Sequence, residues 1–291
     1  MTRRTAAGIT DDVLASFAAC PNPRLQELMR ALVKHLHEFV REVGLTTDEW
    51  AEAMKTLADT GKITTDARQE FILWSDALGL STLVDQFADN RSEAATESTV
   101  QGPFWVQGSK ERPYGASISE RPGGTPLWIH GRVLDSVGHA IVDAELDVWQ
   151  NGPNMLYAVQ DPSAPEHHLR GRFRTLDDGS YGLLAIRPTP YPIPDDGPVG
   201  AMLEATGRHP WRPAHIHVAV SAPGHLPVVT HIFDADSEYL DSDAVFAVKP
   251  NLIKPLEPRE ASHTPRPAGI DGSWVSLEVD FTLDKVLTEN V

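Results

Sequence analysis

The segment Arg212-Pro213-Ala214-His215-Ile216-His217-Val218 carries the residue types and spacing that bear most directly on chemistry. On a β-strand, residues two apart face the same way, so His215 and His217 present their imidazoles side by side while Ile216, Val218 and Val220 turn to the other face. Paired imidazoles on a rigid element have the geometry of metal ligands, although an H-x-H pair alone is a weak signal. Three ways of completing such a shell fall short. Cys20 is the only cysteine, so no thiolate cluster can form. A facial-triad or cupin-type site needs a carboxylate beside the pair, yet residues 218–230 hold no acid and Asp234 is the first. A zinc pair of the amidohydrolase kind belongs on an early strand of an α/β barrel, not late in a β-rich segment.

Tyrosine remains as a donor. The chain has five: Tyr114, Tyr157, Tyr181, Tyr191 and Tyr239. A free phenol ionises near roughly pH 10, but a bound high-charge cation deprotonates it. Phenolate is a hard donor that suits iron(III) better than iron(II) or zinc. Two phenolates and a hydroxide would neutralise an iron(III) held by two neutral imidazoles. For Tyr114, Tyr181 and Tyr239 the default is an amphipathic residue at the edge of the core. His167-His168, in a polar stretch, is expected to be solvent-exposed.

These residues sit in a chain of 291 residues with 41% apolar content and a formal net charge of -16. That composition predicts a buried core. The acidic balance, with no Lys/Arg run, argues against nucleic acid or an anionic membrane as partner. No apolar run approaches the roughly 18–20 residues of a membrane span, and the start MTRRTAAGITDD lacks the apolar core of a signal peptide. A cytoplasmic protein is expected.

The elements that must position the site fall into two kinds. Asn22-Pro23 starts a helix, and Leu25, Leu28, Met29, Leu32, Val33, Leu36, Phe39, Val40 and Val43 form its apolar stripe before Gly44 closes it. A second helix starts at Thr47, with Trp50, Ala53, Met54 and Leu57 inward and Gly61 at its end. A third starts near Thr65 and carries Phe71, Ile72, Trp74 and Leu78. After Gly102-Pro103 the period changes to 2. Leu127–Val133 and Ala140–Trp149 flank the turn Asp135–Gly138. Arg172–Thr175 and Tyr181–Ile186 flank Asp177-Asp178-Gly179-Ser180, a hairpin signal, and His215–Val220 is a strand. Residues 275–283 alternate as one half-buried strand. The fold predicted is mainly β with an α-helical N-terminal region. It comprises a helical domain over residues 1–100 and an antiparallel β-sandwich over 101–291, with long Pro-rich loops at 188–198 and 250–267.

In these motifs the chain resembles the intradiol ring-cleavage dioxygenases over nearly its whole length. The resemblance rests on Trp149-Gln150-Asn151-Gly152-Pro153-Asn154-Met155-Leu156-Tyr157, Leu169-Arg170-Gly171-Arg172-Phe173, Asp178-Gly179-Ser180-Tyr181 and Thr189-Pro190-Tyr191-Pro192-Ile193-Pro194. Its strongest stretch is Gly207-Arg208-His209-Pro210-Trp211-Arg212-Pro213-Ala214-His215-Ile216-His217. It implies one non-haem Fe(III) per subunit, held by Tyr157 and His217 equatorially and by Tyr191 and His215 axially. Tyr191 would leave the metal and accept a substrate proton. Arg212 would stabilise negative charge on the reacting ring, and O2 would open that ring between its two oxygenated carbons.

The resemblance also implies a substrate pocket of Leu73, Asp76, Val100, Gln101, Gly102, Pro103, Ile193, Pro194, Arg212 and Val245. Pro192–Gly200 and Thr230-His231 look like the branch that cleaves hydroxyquinol and chlorocatechols, and Thr96-Glu97-Ser98-Thr99-Val100 looks like the hydroxyquinol type specifically. Asp76 carries the choice. It lies one helical turn beyond Leu73, and its carboxylate could accept a hydrogen bond from a third ring hydroxyl. Gln101 departs from the apolar or aromatic residue expected there. Catechol or chlorocatechol cleavage at the same site is the alternative, and a non-catalytic transthyretin-like binding module is the remote one. The N-terminal helices would pair across a homodimer and hold a phospholipid between subunits; a simple internal core would explain their apolar stripe equally well.

Overall fold

The computed structural model of the chain describes residues 6–65 and 68–286. It divides into two compact units, Met1–Asp59 and Thr60–Val291.

In the first unit α1 (Ala6–Ser16) lies against α2 (Pro23–Val43). Asn22 caps α2 by accepting from the Leu25 N–H at 3.1 Å, Pro23 opens it, and Gly44 closes it in the left-handed conformation. The expected apolar stripe exists but is not an internal core: Leu25, Leu28, Leu32, Leu36, Phe39, Val40 and Val43 are 43–54% exposed. α3 (Thr47–Ile63) starts as predicted, with a capping box between Thr46 and Glu49. Trp50, Met54 and Leu57 are exposed rather than inward. The helix also runs through Gly61, ending where the Thr64 hydroxyl and N–H both turn back to the Thr60 carbonyl.

The second unit begins before the boundary expected at residue 100, because two further helices share its core. α4 (Glu70–Ala77) starts later than Thr65, with residues 66–67 outside the described set, and α5 (Leu80–Ala88) follows after a left-handed Gly79. Leu73 and Ala77 are buried with Ile193, Val199, Leu203, Phe233 and Val245.

The strands are β1 (Pro126–Asp135), β2 (Glu145–Trp149), β3 (Arg170–Arg174), β4 (Ser180–Ile186), β5 (Tyr191–Pro192), β6 (Trp211–Arg212), β7 (His215–Ser221), β8 (Val228–Asp234), β9 (Ile253–Lys254), β10 (Glu257–Arg259), β11 (Trp274–Glu278) and β12 (Phe281–Leu283). A helix, α6 (Pro198–Ala205), interrupts what had looked like an all-strand region. One sheet joins β10, β11, β1 and β12, with β4 also paired to β1; the other runs β3-β2-β7-β8-β9. Leu127, Ile129, Leu146, Val148, Leu183, Ile216, Val218, Val220 and Leu277 fill the space between them. This is the predicted sandwich, mostly antiparallel, with parallel pairs where β11 and β12 meet β1 and β9 meets β8.

Two expectations fail for reasons of long-range pairing. Asp177–Ser180 does form a tight turn, but β3 pairs with β2 and β4 with β1, so the turn passes the chain between sheets. Residues 274–283 form two strands because the ladder to β1 is interrupted, without a change of register, where Val279-Asp280 face Gly131-Arg132; an added Cβ at Gly131 would lie 1.9 Å from the Val279 carbonyl oxygen. Tyr181, opposite Gly131, donates its hydroxyl to that carbonyl at 2.7 Å and is fully in the core, not at its edge. Tyr181→Phe leaves the buried carbonyl without this donor. It should lower the unfolding free energy by about 1–2 kcal/mol in urea denaturation; an unchanged midpoint would show the hydroxyl contributes nothing.

Candidate metal centre

β7 turns Ile216 and Val218 into the sandwich and His215 and His217 to its opposite face, as period 2 requires. Tyr157 follows the loop after β2, with its N–H held by Gln160 Oε1 at 3.0 Å and its ring stacked on Phe104. Tyr191 sits in β5 directly opposite Arg212 in β6, so a two-residue ribbon aims both side chains. The fold thus brings the four expected donors together. Tyr157 OH lies 3.3 Å from Tyr191 OH, 3.1 Å from His217 Nε2 and 3.4 Å from His215 Nε2, and the two Nε2 atoms are 3.2 Å apart. All four side chains are buried.

Those separations fit one cation. Donors about 2.0–2.2 Å from a shared ion stand roughly 2.9–3.7 Å apart at 90–120°. His215 donates through Nδ1 to the Pro213 carbonyl at 2.7 Å, which leaves the Nε2 lone pair facing the other donors. Burial first, then the charge of Arg212, holds both imidazoles well below their usual pKa, so both are neutral. Burial, then the charge of Tyr191, pushes Tyr157 well above the usual phenol value. Its ionisation therefore requires a cation at the site. Two phenols and two neutral imidazoles with no carboxylate among them match a hard trivalent ion.

Arg212 is buried beside these donors and is no surface ion pair. Nη1 lies 3.4 Å from Tyr191 OH and 3.2 Å from His215 Nε2, while Nε donates to Asp243 at 3.0 Å. Burial opposes its charge, yet Asp243, Tyr191 and Tyr157 together hold its pKa above the ordinary guanidinium value.

A cavity of about 760 Å³ lies alongside, lined by Asp76, Ser81, Val100, Gln101 and Gly102 among others. Gly102 joins it to the donors, since a Cβ there would stand 3.5 Å from His217 Cε1. Of the other residues expected in the pocket, Leu73, Ile193 and Val245 belong to one buried apolar cluster and do not line this cavity, nor do Pro103 and Pro194, which are half-buried. Asp76 is 4% exposed, so it is not a solvated helix residue.

The family described as "Dioxygenase" matches residues 100–284, and "Catechol dioxygenase N terminus" matches residues 22–96. The chain belongs to the intradiol ring-cleavage dioxygenases. It is 44% identical over 275 residues to a hydroxyquinol 1,2-dioxygenase of Rhizobium sp. (strain MTP-10005), covering 94% of this chain and 93% of that one. It is 44% identical to a 6-chlorohydroxyquinol 1,2-dioxygenase of Cupriavidus pinatubonensis, covering 96% and 97%. The crystal structure of hydroxyquinol 1,2-dioxygenase from Pseudomonas putida DLL-E4 superposes with a TM-score of 0.91 at 45% identity, covering 97% and 99%.

In this dioxygenase several residues around the donors escaped the sequence reading. His231, noticed only as a branch marker, lies opposite His217 on β8, and one donor atom of each of His215, His217 and His231 falls within 4.8 Å of the others. It is hydrogen-bonded to Thr99 and, with Trp149 also stacked on His217, helps fix that ring. The signal was the alternation of Thr230-His231-Ile232, but its register against β7 is a long-range fact. Asp243 gave no sequence signal. His167 and His168 are half-buried, contrary to expectation, and His168 Nδ1 accepts from the Glu120 N–H.

Burial raises the pKa of Asp76, with the Ser81 hydrogen bond and the charge of Arg212 acting the other way. A carboxyl whose pKa folding raises favours the folded state when protonated, below the unfolded value of 3.8, and loses that contribution as pH rises through the folded pKa. Asp76→Asn should therefore raise the melting temperature of the metal-free protein at neutral pH, with the gain shrinking as pH falls toward about 4. A difference that does not vary with pH would contradict this.

Proposed function

We propose that this dioxygenase opens hydroxyquinol (benzene-1,2,4-triol) with O2 at an iron(III) held by Tyr157, Tyr191, His215 and His217. The product is 3-hydroxy-cis,cis-muconate, whose keto form is maleylacetate. Both atoms of O2 are retained in it and no hydrogen is lost, so the ring-opened acid is the sum of the triol and O2. The observation that carries the choice of ring is Asp76, a buried carboxylate on the wall of the cavity that Gly102 joins to His217. Its similarity to hydroxyquinol-cleaving enzymes over almost its entire length supports the same reading.

Iron(III) bound there supplies Lewis acidity, drawing electron density from the deprotonated diol and so activating the ring toward O2. The remaining work falls to side chains. Tyr191, as the phenolate, would accept one substrate proton at its oxygen, close enough to Arg212 Nη1 for the guanidinium to balance the local charge. Arg212 stays protonated throughout and stabilises negative charge that builds on the ring and its oxygens. His215, tethered to the Pro213 carbonyl, holds its donor in place. Asp76 accepts a hydrogen bond from the third hydroxyl, and Val100, Gln101 and Gly102 flank the ring. Catechol lacks that hydroxyl and leaves the buried carboxylate poorly paired, which costs on the order of 1–3 kcal/mol. The exposed stripe on α2 supports a homodimer formed through the N-terminal helices.

Oxygen uptake on hydroxyquinol, catechol and chlorocatechols side by side tests this. Hydroxyquinol should have the highest kcat/KM, and Asp76→Ala should cut its advantage over catechol by roughly 5–100-fold. More efficient turnover of catechol by the unaltered enzyme would refute the assignment of the ring.

A further inference from the structure

Arg212 has a guanidinium with two usable edges, and the structure fixes which one faces the reacting groups. The Nε–H donates to Asp243 Oδ1 at 3.0 Å and Nη2 to Asp243 Oδ2 at 3.4 Å. Nη1 is left facing Tyr191 OH and His215 Nε2. Both side chains of the pair are almost wholly buried, at 4% and 2% exposed. Rotating the guanidinium would therefore strand a charge without water to receive it.

Asp243 does a second thing with the same two oxygens. Oδ1 accepts from the Val245 N–H at 3.3 Å and Oδ2 from the Ala247 N–H at 3.0 Å. Val245 shares a buried apolar cluster with Leu73 and Ile193, and its carbonyl accepts from the Thr82 hydroxyl on α5. One carboxylate thus holds the guanidinium on one side and the Val245 loop on the other. Each oxygen takes one backbone N–H and one guanidinium N–H, an arrangement an amide cannot reproduce because its NH2 is a donor.

We propose that Asp243 is a positioning residue for ring cleavage: by engaging the Nε/Nη2 edge of Arg212 it presents Nη1 to Tyr191 and His215, and it ties that orientation to the Val245 loop. The role rests on the proposed function of Arg212 but is separable from the identity of the ring. Asp243 touches neither the four donors nor the cavity, so its effect passes through Arg212 and appears in kcat more than in substrate binding.

The test compares the iron-loaded wild type with Asp243→Asn, Asp243→Glu, Arg212→Gln and the Asp243→Asn/Arg212→Gln double variant, using hydroxyquinol and catechol. Asp243→Asn should lower kcat roughly 10–100-fold while KM and the anaerobic Kd, read from the visible band on adding the diol, change less than about threefold. Asp243→Glu, which keeps the acceptor pair, should recover part of the rate. In the Arg212→Gln background Asp243→Asn should cost less than about twofold further, as expected of residues that act as a unit. Kinetic losses that multiply independently, or a change confined to KM and Kd, would overturn the proposal by making Asp243 a loop anchor alone. If the wild type prefers catechol, the assignment of the ring fails while the same kcat and KM comparison on catechol still decides the role of Asp243.

Discussion

Tyr157 OH lies 3.1–3.4 Å from the donor atoms of Tyr191, His215 and His217; the four residues come from three separate parts of the chain, and all four side chains are buried. Burial disfavours the ionised form of Tyr157 and the protonated forms of both histidines, so without a cation these groups stay neutral. The surrounding elements supply the constraint. β7 is locked between β2 and β8, so the histidine pair cannot rotate away. Trp149 and His231 pack on the His217 ring, and the β5–β6 ribbon brings Tyr191 and Arg212 in from the other side.

Charge is balanced within the same small space. Arg212 is the positive group that touches the donors directly, and Asp243 keeps it from being an isolated buried cation. Asp76 is a buried acid facing the cavity and feels both of them, attracted by Arg212 and opposed by Asp243. A group that burial makes uncomfortable and a ligand hydroxyl can relieve is a natural source of discrimination, obtained at some expense in stability.

Local pattern made part of this legible. The period-2 run through His215 and His217, the Asn22-Pro23 helix start and the failure of thiolate and carboxylate shells could all be read in the residues themselves. Choosing Tyr157 and Tyr191 from five tyrosines took the resemblance to a family. The remainder depends on contacts between residues far apart in sequence. Nothing near α6 announces a helix except Pro198, because the Val199 N–H is satisfied by Glu70, 129 residues away. Asp243 meets Arg212 across 31 residues, and His231 faces His217 through strand register. The single alternating strand over 275–283 is interrupted at Val279-Asp280, where it faces Gly131-Arg132 on a different strand. Such pairings are set by packing of the whole unit, which a window of sequence does not contain.

Two ionised tyrosines sharing one iron(III) with two histidines are the centre of the chemistry proposed for this dioxygenase. Visible absorption of the iron-loaded protein tests this most directly, alongside Tyr157→Phe and Tyr191→Phe. A broad tyrosinate-to-iron(III) band giving a red-brown protein, weakened and shifted in each variant, is the predicted result. A colourless protein that takes up zinc or no metal, or a band indifferent to both substitutions, would contradict it.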